Sequence, residues 1–219
     1  MKAPVQADDP KALIARAIEA KGGLKKLQGI RTVRAEATTT VSGRGGNVPL
    51  ATTTSVEYPG RFRMDVETPA GRLTQVFADG TYWIQDSRGV AEPDAPVRDA
   101  IHDALRRDTI PLLLQAVSGA LVVRGADADP PLQAVVLSSA DLAPVTLFIN
   151  RDSGLIERVQ YETADGLASE EYSDYRRVEG VRVPFHTVVK RPGAAAVERD
   201  IHKIHFNVPL PAGIFTRPS

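Results

Sequence analysis

Four histidines are the first residues to weigh as metal ligands: His102, His186, His202 and His205. His202 and His205 stand three apart on a predicted strand, a spacing that turns them to opposite faces. The other two are isolated in sequence, so no metal site is expected. The run Glu170, Glu171, Tyr172, Ser173, Asp174 offers carboxylates, but calcium needs six or more oxygens, usually on a loop with a glycine turn. These acids alternate along a strand, which predicts a solvated face or cross-strand pairing. Gly43, Arg44, Gly45 and Gly46 look suited to phosphate, yet neither the G-x-x-x-x-G-K-[ST] pattern nor a following helix accompanies them. They read as a hairpin loop. The patterns G-x-S-x-G, S-x-x-K and H-E-x-x-H are all absent. A dispersed Ser/His/Asp triad, which only geometry reveals, stays open as a hydrolase alternative. The chain has no cysteine, which removes disulfides, thiolate metal sites and cysteine nucleophiles together. No cofactor is expected.

The elements that would position any site follow from a change of period. Asp9 and Pro10 give a helix start, and Leu13, Ile14, Ala17 and Ile18 form an apolar stripe that Gly22 and Gly23 end. A further turn follows, so the N-terminal helices span about 9–29. From Thr32 the period drops to two. Strands are predicted over Thr32–Ser42, Leu50–Tyr58, Arg61–Thr68, Arg72–Ala78 and Thr81–Asp86. A second set covers Leu121–Arg124, Gln133–Ser138, Val145–Asn150, Leu155–Thr163, Ala168–Tyr175, Arg182–Lys190 and Glu198–His205. Asp79-Gly80, Asp165-Gly166 and Glu179-Gly180 supply hairpin turns.

A helical segment over about 95–119 interrupts the strands. Val97, Ile101 and Leu105 share one stripe, opposite Arg98, Asp99, Asp103 and Arg106. Pro111 is expected to break or kink it, and Leu112, Leu113 and Leu114 follow. Within Arg61–Thr68, the residues Phe62, Met64 and Val66 point to one face and Arg61, Arg63 and Asp65 to the other. The implied class is α+β: a strongly curved antiparallel sheet with one apolar face, covered by helices as a lid or plug.

At 219 residues, 42% hydrophobic and 25% charged, the composition is that of an ordinary globular protein expected to form a single domain over 1–219. Lysine plus arginine, 27, balances aspartate plus glutamate, 27, so the charge footprint of a nucleic-acid binder is missing. The apolar run near Ile110–Leu114 falls far short of the ~20 residues of a membrane-spanning helix, and the N-terminus lacks the apolar core of a signal peptide. That start fits either a cytoplasmic protein or a mature form with an added methionine.

Several local patterns, in order, resemble the outer-membrane lipoprotein-sorting superfamily, which includes the carriers LolA and LolB and the lipoprotein LppX. Ala17, Ala20, Gly22, Gly23 and Leu27 are similar to its opening helix. Pro59, Arg61 and Arg63 are similar to a strand start, and Asp79, Gly80 and Trp83 to its hairpin. Tyr172, Asp174, Tyr175, Arg176, Gly180 and Pro184 are similar to its Y-x-D-Y-R segment, and Asn207, Phe215 and Pro218 to its end. The resemblance implies an incomplete barrel of about eleven strands under a helical lid, holding lipid chains.

The function expected is non-catalytic binding of a lipid, an acyl chain or a lipoprotein anchor in an apolar hollow. The walls expected are Phe62, Met64, Phe77, Trp83, Ile101, Leu105, Leu112, Leu113 and Phe148. The protein would be a monomer of the periplasm or cell envelope. The alternative to a carrier is an accessory or sensor domain that docks an envelope protein.

Overall fold

The computed structural model describes residues 9–43 and 46–218. Helix α1 (Pro10–Lys21) starts where the Asp9 carboxylate accepts the Lys11 amide at 3.2 Å, with proline in the first turn. Its stripe of Leu13, Ile14, Ala17 and Ile18 is buried. Gly22 then closes it at φ +143°, against the turn that follows a later strand. A Cβ there would lie 2.7 Å from the Gly180 carbonyl oxygen, so this approach admits only glycine. Helix α2 (Leu24–Gln28) buries Leu27 completely.

Six strands follow: β1 (Thr32–Gly43), β2 (Gly46–Glu57), β3 (Arg61–Thr68), β4 (Gly71–Ala78), β5 (Thr81–Asp86) and β6 (Gly89–Ala91). Helices α3 (Ala95–Arg106) and α4 (Thr109–Ser118) come next. The chain finishes with β7 (Val122–Ala126), β8 (Leu132–Ser138), β9 (Val145–Asn150), β10 (Ile156–Thr163), β11 (Gly166–Val178), β12 (Val181–Lys190) and β13 (Ala196–Phe206). All thirteen strands form one antiparallel sheet in the order β6-β5-β4-β3-β2-β1-β13-β12-β11-β10-β9-β8-β7. Two meanders are thus joined through the β1–β13 pair, and the sheet curls without closing. Its two edges, β6 and β7, are consecutive in sequence and are linked by α3 and α4. The strand count exceeds the expected eleven, partly because β6 is too short to show a period.

At Asp79-Gly80 and Glu179-Gly180 both turn residues have positive φ, the type I′ geometry that suits the twist of a two-residue hairpin. The helical segment is two helices rather than one, and the break lies upstream of Pro111. Proline in a continuous helix would clash with the carbonyl four residues back, at Arg107. The chain instead ends α3 at Arg106 and restarts with Asp108 as N-cap, its carboxylate accepting the Ile110 amide at 2.9 Å. Pro111 then sits in the first turn of α4, where it is tolerated.

Phe62, Met64 and Val66 share the inner, helix-covered face as expected: they oppose Phe77, Gln75 and Leu73 across β3–β4. The histidine spacing is corrected by a β-bulge. Glu36 pairs with Lys203 and Ala37 with Ile201, so His202 is the extra residue. His202 therefore meets Thr38 at 2.8 Å, on the same face as His205 opposite Arg34.

The main core lies between α1, α2, α4 and the inner face of β8–β13. Leu112, Leu113, Leu137, Leu147 and Ile149 are fully buried there. A second, smaller core sits on the outer face, where Phe215 of the C-terminal segment covers Val76, Ala78 and Trp83.

Candidate functional site

The inner face of β2–β5 combines apolar side chains with Thr52, Thr54 and Gln75 and is only partly covered. Cross-strand register aligns Val56, Phe62, Phe77 and Tyr82 in one row. Helix α3 crosses above it. Phe77 stacks on Tyr82 with ring centroids 4.3 Å apart, and the His102 ring meets Phe77 edge-on at 6.2 Å. Ile101 and Leu105 of α3 are half-buried, as are Phe62, Met64 and Phe77 beneath, while Val97 is 40% exposed. No described residue of α3 is fully buried, in contrast to α4.

Between α3 and the sheet lies a cavity of about 130 Å³ bounded by Val56, Phe77, Leu105 and Arg106. A groove of about 470 Å³ between Ile30, Ile110 and Leu114 adjoins it, with Tyr58 and Pro111 bordering both spaces. These two adjoining spaces are the channel of the α3–α4 hinge; the groove is mainly apolar, and the cavity also carries His102, Arg106 and Asp108 on its walls.

Polar groups fix that hinge. Tyr58, at the end of β2, donates its hydroxyl to Asp108 Oδ2 at 2.5 Å. Burial, reinforced by Asp108, holds the Tyr58 phenol well above its ordinary pKa. Lys21 is buried at the end of α1. Desolvation lowers its ammonium pKa, and the attraction of Asp108 partly opposes the shift. Deeper on the inner face, Glu170 accepts the hydroxyls of Tyr161 at 3.1 Å and Tyr172 at 2.9 Å. Burial and then Glu170 raise the Tyr172 pKa strongly. The Arg107 guanidinium lies 3.7 Å over the Tyr161 ring.

The expected wall residues divide. Phe77 and Leu105 border the small cavity, whereas Phe62, Met64 and Ile101 are half-buried beside it and line neither space. Leu112 and Leu113 are sealed in the core behind it. Trp83 and Phe148 lie on the other face of the sheet. Trp83 opposes Val76 under the C-terminal segment, because its neighbour Tyr82 takes the inner face. Phe148 opposes Arg158, whose guanidinium stacks on it at 3.8 Å. Arg106, expected on the exposed side of its helix, is half-buried and borders the cavity. The Tyr58–Asp108 pair had no expectation attached to it. Its only local sign was Asp108 standing before a proline-containing first turn.

A larger hollow of about 650 Å³ lies on the outer face, between β5 and the segment 208–217. Its rim carries Arg61, held by Glu57 at 3.2 Å and Asp79 at 3.1 Å, and Arg217. A space ringed by ion pairs suits an acyl chain less well than the channel beneath α3. On that outer face, Ser173 stands opposite His186, which bonds Asp200 at 2.7 Å. No hydrogen bond joins Ser173 to His186 among the described residues, and Ser173 lies open to solvent. No group of three or more His, Asp or Glu side chains among the described residues is placed to hold a metal ion.

No family model matches this chain, and no curated protein matches its sequence. Solved structures do. A DUF1329 family protein from Desulfovibrio piger superposes with a TM-score of 0.69 at 12% identity, covering 94% of this chain and 97% of that one. A LolA superfamily protein from Nitrosomonas europaea gives 0.64 at 12% identity, over 96% and 99%. A domain assigned as an outer membrane lipoprotein-sorting protein, from Vibrio parahaemolyticus, gives 0.62 at 8% identity, over 95% and 97%.

Proposed function

We propose, from the fold that this chain shares with the lipoprotein-sorting and LolA superfamily structures, that it is a single-domain, non-catalytic binding protein of the cell envelope that holds an acyl chain in the channel beneath α3. One contrast carries the reading. Under α1 and α4 the inner face buries Leu112, Leu113, Leu137, Leu147 and Ile149 completely, whereas Phe62, Met64, Phe77, Ile101 and Leu105 are only half covered. One fold-mate, the Vibrio parahaemolyticus domain, is described as an outer membrane lipoprotein-sorting domain, which supports a lipidic ligand and an envelope location. No helix among the described residues is long and apolar enough to cross a membrane.

Binding would be partition. Each buried methylene contributes about 0.8 kcal/mol, so a ~16-carbon chain gains up to ~10 kcal/mol before ordering costs. Tyr58 and Asp108 hold the hinge, so α3 is the element that lifts to admit or release the chain. The test is displacement of cis-parinaric acid from delipidated protein by palmitate, with native mass spectrometry for stoichiometry. Saturable one-to-one binding supports the proposal. The solid plug of α1 and α4 favours a second reading, an accessory domain docking an envelope protein, and failure to take up any acyl chain would favour it.

A further inference from the structure

The α3–α4 hinge carries two consecutive arginines: Arg106 borders the cavity, whereas Arg107 lies over the Tyr161 ring and lines neither space. Arg106 makes no ion pair or hydrogen bond among the described residues. Arg107 is almost buried, its side chain 11% exposed. Its one ion pair among the described residues is Asp103 at 3.8 Å, whose carboxylate is 58% exposed. The Arg107 Nε is buried without a hydrogen-bond partner.

The nearby carboxylates are engaged elsewhere. Asp108 gives one oxygen to the Tyr58 hydroxyl and the other to the Ile110 amide, with buried Lys21 balancing its charge. Glu170 accepts from two tyrosines instead of from Arg107. A mostly buried cation without a close counter-charge is costly. An arginine fork beside an apolar channel is the arrangement that recognises a carboxylate or phosphate group on a greasy chain.

We propose that the channel selects an anionic single-chain amphiphile, with its tail passing Phe77 and Leu105 and its carboxylate or phosphate head on Arg106. This rests on the acyl-binding reading above and names the ligand class for that site. The head would restore the missing counter-charge, and the half-buried position of Arg106 lets it swing to the ligand without disturbing the core.

The experiment compares four probes of equal chain length on the intact protein: palmitate, hexadecyl phosphate, hexadecanol and hexadecyltrimethylammonium. Each displaces cis-parinaric acid from wild type, Arg106→Gln and Arg107→Gln. Circular dichroism and urea midpoints verify folding, and Arg106→Gln is the cleaner variant because it leaves the core untouched. The expected result is that wild type binds the two anions at least about tenfold more tightly than the alcohol, the scale of one charge-assisted hydrogen bond. Arg106→Gln should abolish most of that preference while leaving hexadecanol affinity unchanged. A preference for one anion over the other identifies the head as carboxylate or phosphate. Equal affinity for all four probes, or an anion preference that survives in both variants, overturns the head-group assignment while the acyl-binding reading stands. If none of the four binds, the acyl-binding reading itself fails.

Discussion

Truncating two leucines, one on each helix of the insert, separates a packed plug from a loose cover. Leu113 on α4 is 0% exposed. Leu113→Ala loses the full transfer term and leaves a sealed cavity, together about 3 kcal/mol within the usual 2–5. Leu105 on α3 is half-buried and already borders open space. Leu105→Ala therefore loses roughly half the transfer term and seals no new cavity, about 1 kcal/mol. With a urea slope of roughly 2 kcal/mol per molar, the two midpoints should differ by about 1 M. The same pair should invert in binding. Leu105→Ala weakens uptake of cis-parinaric acid, and Leu113→Ala, compared at equal folded fraction, does not. If Leu105→Ala costs as much stability as Leu113→Ala, α3 is core and the channel reasoning is refuted.

Removing the hinge hydrogen bond with Tyr58→Phe should cost about 1.5–3 kcal/mol, the worth of a bond to a charged acceptor, and speed amide exchange in the first turn of α4; unchanged exchange would contradict its role. Lys21→Met should flatten the dependence of stability on pH. The folded-state pKa of Lys21 is lowered, so between that value and the ordinary lysine value the unfolded chain binds more protons and wild-type stability rises with pH. Buried Tyr58 and Tyr172 act oppositely: their raised pKa contributes stability that is present below about pH 10 and lost above it, so urea titrations should stay below that point. Equal slopes for wild type and Lys21→Met would contradict the burial of the ammonium. Phe215→Ala should shift Trp83 emission to the red by uncovering the outer core, while acyl binding stays intact because the channel lies on the opposite face.

Where a segment alternates cleanly, its boundaries were readable from residue types alone. Arg61–Thr68, Thr81–Asp86 and Val145–Asn150 are strands over the expected ranges. The alternation also assigned Phe62, Met64 and Val66 to one face. What escaped was information held between distant segments. Tyr82 and Trp83 are both apolar enough to be buried, and both are, because the C-terminal segment covers the outer face too. Period alone cannot say which face has which cover. The bulge at His202 reverses parity without altering composition. Tyr58 and Asp108 are fifty positions apart and meet only when β2 and the hinge are docked. Helical spacing puts Arg106 on the solvent side, because spacing alone does not reveal that the helix ends at that residue.

The most direct test of the channel is to locate the ligand covalently. A 16-carbon fatty acid bearing a tail diazirine is photolysed on the delipidated protein, and the labelled peptides are mapped by mass spectrometry. Saturable labelling of β3, β4 and α3, abolished by excess palmitate, is the predicted result. Labelling confined to the 208–217 segment would move the site to the outer hollow, and labelling that never saturates would contradict a binding channel altogether.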